Sequence, residues 1–179
     1  MCKNCGHVEH YPSGAFDVNL EGGSEYPDAL GCGAYPFLII SERVVDDWNQ
    51  AGIDNYLTYP VRISSIDSAD ITNKLPPNYW RIEMNGTCSI DLLSSGLVNA
   101  DYCAICGNLR TGESQITGFI MEADSWDGSD LFRDKNQFPR INFCTMRILE
   151  LAKKKTHSNF RFEPMQGPFG IDGKGITYL

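Results

Sequence analysis

The chain has 179 residues, 42% of them hydrophobic and 21% charged, enough to bury a core without disulfides. Its 15 Lys and Arg against 23 Asp and Glu give a formal charge of −8, which argues against a nucleic-acid binder relying on basic contacts to phosphate and suits either a basic partner or simple solubility. No stretch approaches the ~20 apolar residues of a membrane span, and Met1-Cys2-Lys3-Asn4-Cys5-Gly6 lacks the apolar run of a secretory signal, so a cytoplasmic location is expected.

The first feature is Cys2-Lys-Asn-Cys5-Gly6. Ser41 then stands as a candidate N-cap, with Val44, Val45, Trp48 and Ala51 at helical spacing and Gly52 as a stop. The alternating run Tyr56-Leu-Thr-Tyr59 predicts a strand stopped by Pro60. Pro76-Pro77 reads as an exposed turn between two halves, 1–76 and 77–179. Tyr79 to Met84, Asn85-Gly86 and Thr87 to Leu93 predict a hairpin leading into a second motif, Cys103-Ala-Ile-Cys106-Gly107. Thr117 to Glu122 predicts another strand, followed by the densest acidic stretch, Glu122 to Asp130. Thr145 repeats the N-cap role, ahead of Ile148, Leu149 and Ala152. Lys153, Lys154 and Lys155 complement the negative helix end, and Phe160-Arg-Phe-Glu163 predicts a strand. The tail Gly167 to Gly175 is glycine-rich and matches no phosphate loop.

The two C-x-x-C-G motifs carry the most chemistry. Two residues between thiolates let both sulfurs reach one metal from a tight turn, and glycine after the second cysteine permits positive φ. Two such knuckles supply four thiolates, the closed tetrahedral shell of structural zinc. Thiolates also suit iron, and zinc is the commoner choice for a lone four-thiolate site. Three alternatives stand beside this one. A pair is a redox dithiol, the pairs are unrelated thiols, or His7 or His10 replaces a cysteine. Cys32, Cys88 and Cys144 read as buried small residues.

The chain also looks duplicated. Ile39–Val61 aligns with Phe143–Met165 at an offset of 104, matching Arg43 to Arg147, Asn55 to Asn159 and Pro60 to Pro164. The cysteine motifs repeat at 101, Asp28 and Asp130 at 102, and Pro36 and Pro139 at 103. The expected fold is therefore α+β, with two similar halves, each a knuckle, strands, one helix and a strand, sharing one four-cysteine zinc site.

No G-x-S-x-G, H-E-x-x-H or P-loop motif occurs, and His7, His10 and His157 lie in no recognisable base context, so no enzyme is expected. The acidic stretch is either a solvated face or a partner surface built on Asp124, Trp126, Asp127 and Asp130, with Trp126 as the aromatic anchor.

Together, the paired C-x-x-C-G motifs, Ser41-Glu-Arg-Val-Val45, Gly86 to Asp91 with Ser94-Ser95-Gly96, and Asp127-Gly-Ser-Asp130-Leu-Phe132 resemble the bacterial double-CXXCG motif proteins over nearly the whole chain. The resemblance implies a zinc-containing, immunity-type protein, because some members protect a bacterial cell from a toxin delivered by kin or rivals. Only Cys2, Cys5, Cys103 and Cys106 carry over as functional residues. The expected function is neutralisation of a cognate toxin, which as a nuclease would present a basic site to an acidic face. The alternative is a zinc-ribbon module associated with nucleic acid or regulation.

Overall fold

The computed structural model describes residues 1–6, 16–31, 37–71, 73–97, 100–110, 118–136, 141–165, 170–171, 174–175 and 177–178. The chain is a mixed α+β protein, mostly strands with two helices among the described residues. A first sheet holds β1 (Phe16–Glu21), β2 (Ala29–Leu30), β3 (Leu38–Ser41), β4 (Tyr56–Asp67) and β5 (Tyr79–Met84), in the order β1-β4-β5-β3-β2. Between β3 and β4 runs α1 (Glu42–Gln50). The second five-stranded sheet draws on β6 (Gly86–Cys88), β9 (Leu131–Asp134), β10 (Phe143–Cys144), β11 (Glu163–Pro164) and β14 (Thr177–Tyr178), in the order β11-β14-β10-β9-β6. Here α2 (Met146–Lys155) follows β10. Two small pairs complete the set, β7 (Asp101–Tyr102) with β8 (Leu109–Arg110), and β12 (Gly170–Ile171) with β13 (Lys174–Gly175).

Four strands of each sheet follow one plan. β4-β5-β3-β2 and β11-β14-β10-β9 are antiparallel throughout. The register agrees as well. Tyr59 and Pro60 face Arg81 and Trp80, which in turn face Ile39 and Ile40. Glu163 and Pro164 face Tyr178 and Thr177, which in turn face Phe143 and Cys144. Pro60 and Pro164 thus occupy the same place in their sheets. Each sheet adds one parallel neighbour, β1 on β4 and β6 on β9, at opposite ends of the shared order.

Both helices begin where the sequence places their caps, but the hydroxyls do other work. Ser41 and Thr145 are the N-cap residues, and neither bonds its own helix through the side chain. Ser41 Oγ donates to Asp28 Oδ1 at 2.9 Å, and Thr145 Oγ1 donates to Asp130 Oδ1 at 2.5 Å. Gly52, at φ +72°, follows α1, whereas Thr156 ends α2 in the left-handed region at φ +53°.

The two helices are tied to each other. Arg43 Nη1 donates to the Lys155 carbonyl at the end of α2 (3.1 Å), and Arg147 Nη2 donates to the Ala51 carbonyl at the end of α1. Each cation meets the negative pole of the other helix and satisfies a terminal carbonyl. Asp47 on α1 accepts from Lys155 Nζ at 2.6 Å and from His157 Nε2 at 2.9 Å. The larger core is also shared. Ile40, Val44, Trp48, Ile53, Ile82 and Met84 pack with Leu131, Cys144 and Ile148, and each such side chain contributes about 1.5–3 kcal/mol of transfer free energy. A second core gathers Cys88, Ile90, Phe119, Met121, Phe132, Phe143 and Met165.

Four sequence expectations are corrected. β5 and β6 form no hairpin. The chain leaves the first sheet at Met84 and enters the second at Gly86. Gly86 is there for close approach, because a Cβ on it would lie 2.5 Å from Ser129 Cβ and nearer still to the Leu131 carbonyl oxygen. β4 runs through Pro60 to Asp67; β1 joins only from Val61 onward, so the missing N–H of Pro60 breaks no rung with β1. Residues 118–122 make only a bridge between Met121 and Ile90, and Phe160 to Phe162 stay outside the short β11.

Candidate metal centre

Each knuckle is a tight turn closed by its glycine. Gly6 N–H donates to the Cys2 carbonyl at 2.9 Å with φ +72°, and Gly107 N–H donates to the Cys103 carbonyl at 2.8 Å with φ +69°. Side chains rarely adopt such φ values, so glycine is what lets both turns fold back on their first cysteine. The second knuckle is the tip of the β7–β8 ribbon, pinned by Cys103 N–H to the Asn108 carbonyl (2.9 Å) and by Arg110 to Asp101 (2.7 Å).

The two turns meet face to face. Cys2 Sγ lies 3.8 Å from Cys103 Sγ, Cys5 Sγ lies 3.5 Å from Cys106 Sγ, and all four sulfurs fall within 4.8 Å of one another. Four sulfurs at about 2.3 Å from a tetrahedral ion stand about 3.8 Å apart, so this spacing fits one thiolate-bound metal. The bond would join residues 101 positions apart, fastening the first residues of the chain to its middle.

Hydrogen bonding prepares the sulfurs for this role. The backbone N–H groups of Cys106 and Ile105 and the Asn4 amide, which donates at 3.3 Å, lower the Cys103 thiol to about 5. Backbone N–H groups of Cys5 and Asn4 lower Cys2. The Asn108 N–H favours the Cys106 thiolate, but burial and the neighbouring thiols outweigh it and push Cys106 up to about 12. Without a cation, the cluster resists taking up its last negative charge. A divalent ion removes that resistance.

No family model matches this sequence, and no curated protein sequence matches it. His7, His10, Cys32, Pro36, Thr117 and Pro139 lie outside the described residues. Cys88 and Cys144 are buried, as read from sequence, and burial pushes the Cys88 thiol up to about 12. Among the described residues, no helix is long and apolar enough to cross a membrane.

The acidic stretch does not form part of the metal cluster. Asp127 accepts from Thr87 N–H at 2.7 Å and Ser129 N–H at 3.0 Å, fixing the loop against β6. Asp130 holds Thr145 and Arg147, the latter at 2.6 Å. The Trp126 ring packs 5.9 Å from Phe132, and its Nε1 donates to the Ser129 carbonyl at 3.0 Å. Asp124 stays exposed at φ +60°.

Two charged constellations went unread in the sequence. Asp28 accepts from Ser41 Oγ, Arg43 Nε (3.0 Å), Arg43 Nη2, Ser158 N–H (2.8 Å) and Ser158 Oγ (3.1 Å). Burial opposes its ionisation, but these donors win and lower its carboxyl to about 2. The second constellation is Asp47 with Lys155 and His157. The repeat of Asp28 and Arg43 as Asp130 and Arg147 was the available signal for the first. His157 offered none, because its partner lies 110 residues away.

Proposed function

We propose that Cys2, Cys5, Cys103 and Cys106 hold one zinc ion as a closed structural clamp, and that the chain acts as an immunity-type binding protein. The observation that carries the first part is the gathering of four thiol sulfurs within 4.8 Å. Four protein ligands fill a tetrahedral shell and leave no position for substrate, so the ion would stabilise the fold and do no chemistry. The shared strand order and the matched Asp–Arg pairs support reading the chain as an internal duplication, with one knuckle from each copy.

The second part is supported by the −8 charge, which suits a basic partner, and by the resemblance to the double-CXXCG motif proteins. A cytoplasmic protein of this kind would neutralise its toxin by covering a basic, nuclease-like site. Within the acidic stretch, Asp124 is the carboxylate best placed for a partner, since Asp127 and Asp130 are engaged inside the fold.

Cobalt substitution tests the metal shell. The tetrahedral four-thiolate site predicts intense visible bands that Cys103→Ser abolishes, whereas a six-coordinate cobalt spectrum contradicts it. Co-expression with toxins encoded beside this gene tests the partner. Protection that Asp124→Lys weakens supports the reading. Failure to protect against any of them, together with salt-sensitive retention on nucleic acid, favours the zinc-ribbon alternative.

A further inference from the structure

Arg81 is a charged residue of the first sheet that carries a buried, unpartnered polar atom. It sits mid-strand in β5, between Ile39 of β3 and Tyr59 of β4. Its neighbours Ile82 and Met84 point into the core with α1, so alternation places Arg81 on the opposite face. The residue is only 6% exposed. Its guanidinium carbon lies 4.3 Å from the centre of the Tyr59 ring and 5.4 Å from that of Phe37. Phe37 is braced edge-on by Phe16, with ring centres 5.4 Å apart.

The rings explain how the cation is tolerated but not how its hydrogen bonds are met. Nε is sealed from solvent and has no acceptor, and among the described residues no carboxylate pairs with this guanidinium. Glu83, two residues on along the same face, stands near Arg133 instead, at 3.9 Å. A guanidinium does not escape burial by losing its proton. Cation–π contact offsets part of the penalty for an unpaired buried charge but supplies no hydrogen-bond acceptor. A sealed Nε–H without an acceptor, on a guanidinium that no carboxylate among the described residues pairs with, points to an acceptor supplied from outside.

We propose that Arg81 anchors a carboxylate-binding site on the outer face of the first sheet, with Tyr59 and Phe37 as its aromatic walls. The carboxylate follows from the donor. A planar guanidinium pairs two N–H groups with two coplanar oxygens. A single negative charge also matches one cation on a molecule of charge −8, where a doubly charged phosphate meets more repulsion. The carboxylate is either a free small acid or the end of a peptide chain.

The test is an NMR titration of the full-length, zinc-loaded protein, observing the arginine Nε–Hε signals. Acetate, N-acetylglycylglycine and inorganic phosphate are added separately at constant ionic strength. The signal missing from the Arg81→Lys spectrum should shift saturably with acetate or with the peptide acid, and the tighter of the two identifies the source. Arg81→Lys should weaken binding about tenfold. Arg81→Met should abolish it without lowering the thermal midpoint, because an apolar chain of similar length removes the unpaired charge. Saturation by phosphate alone overturns the carboxylate assignment. No saturable shift with any of the three overturns the site, and that readout stands even if a variant fails to fold.

Discussion

Asp28→Asn should be among the most damaging near-isosteric substitutions in this chain. All of its side-chain partners are donors, namely Ser41 Oγ, two nitrogens of Arg43, and the N–H and hydroxyl of Ser158. An amide replaces one acceptor oxygen with NH2, which then faces donors, and leaves Arg43 without its counter-ion. A charge-assisted bond contributes about 1.5–3 kcal/mol, and an unsatisfied buried group costs about 1–3 kcal/mol. Arg43 is 51% exposed on its side chain, so water discounts the ionic part. The expected loss is about 2–4 kcal/mol. Asp130→Asn breaks the equivalent contacts to Thr145 and Arg147 without a counterpart of Ser158, and should cost about 1–2 kcal/mol. The pH dependence follows from the lowered carboxyl. Its folded value, about 2, lies below the ordinary 3.8, so its stabilisation is present above 3.8 and lost as pH falls towards 2. Urea unfolding of the metal-free protein at pH 7 and pH 2.5 measures both effects, because a thiolate-bound ion would be released at the lower pH. If Asp28→Asn costs less than Asp130→Asn, or if its deficit is undiminished at pH 2.5, the reasoning is wrong.

Two further substitutions probe long-range contacts of the fold. Gly86→Ala forces a methyl against Ser129 and the Leu131 backbone and should cost about 1–3 kcal/mol or more, read from thermal unfolding; a neutral effect contradicts the close approach of β6 to β9. Asp47→Ala leaves Lys155 and the buried His157 without their shared carboxylate. It should destabilise by about 1–3 kcal/mol at pH 7. Burial opposes the Asp47 charge, but Lys155 and His157 lower its carboxyl overall, so the deficit should fade below the carboxylate range. An undiminished deficit at acid pH would assign the loss to packing.

Local signals were legible in the sequence, and long-range partnerships mostly were not. Both helices start at Ser41 and Thr145 because an apolar stripe begins there, a pattern confined to a few residues. Ser41 and Thr145 are the N-cap residues as read, but their hydroxyls serve Asp28 and Asp130, and that choice is made by tertiary contacts. Asn85-Gly86 looks like a hairpin turn because the dipeptide favours one. The chain instead crosses between sheets there, which depends on β9, more than 40 residues later. The four-cysteine cluster was legible because metal chemistry constrains spacing within each knuckle, so two matching motifs announce each other across any distance. Arg81 and His157 carry no motif, and their unusual settings arise only when strands and helices assemble.

The most direct test of the clamp is metal content by plasma mass spectrometry on freshly purified protein, compared with a Cys103→Ser, Cys106→Ser variant. The four-sulfur cluster predicts about one zinc per chain in the parent protein. The variant should lose that zinc together with thermal stability, since folding and metal binding share one free energy. A parent protein without metal, or a variant that keeps its full complement, would contradict the shared site and return the cysteines to the role of redox thiols.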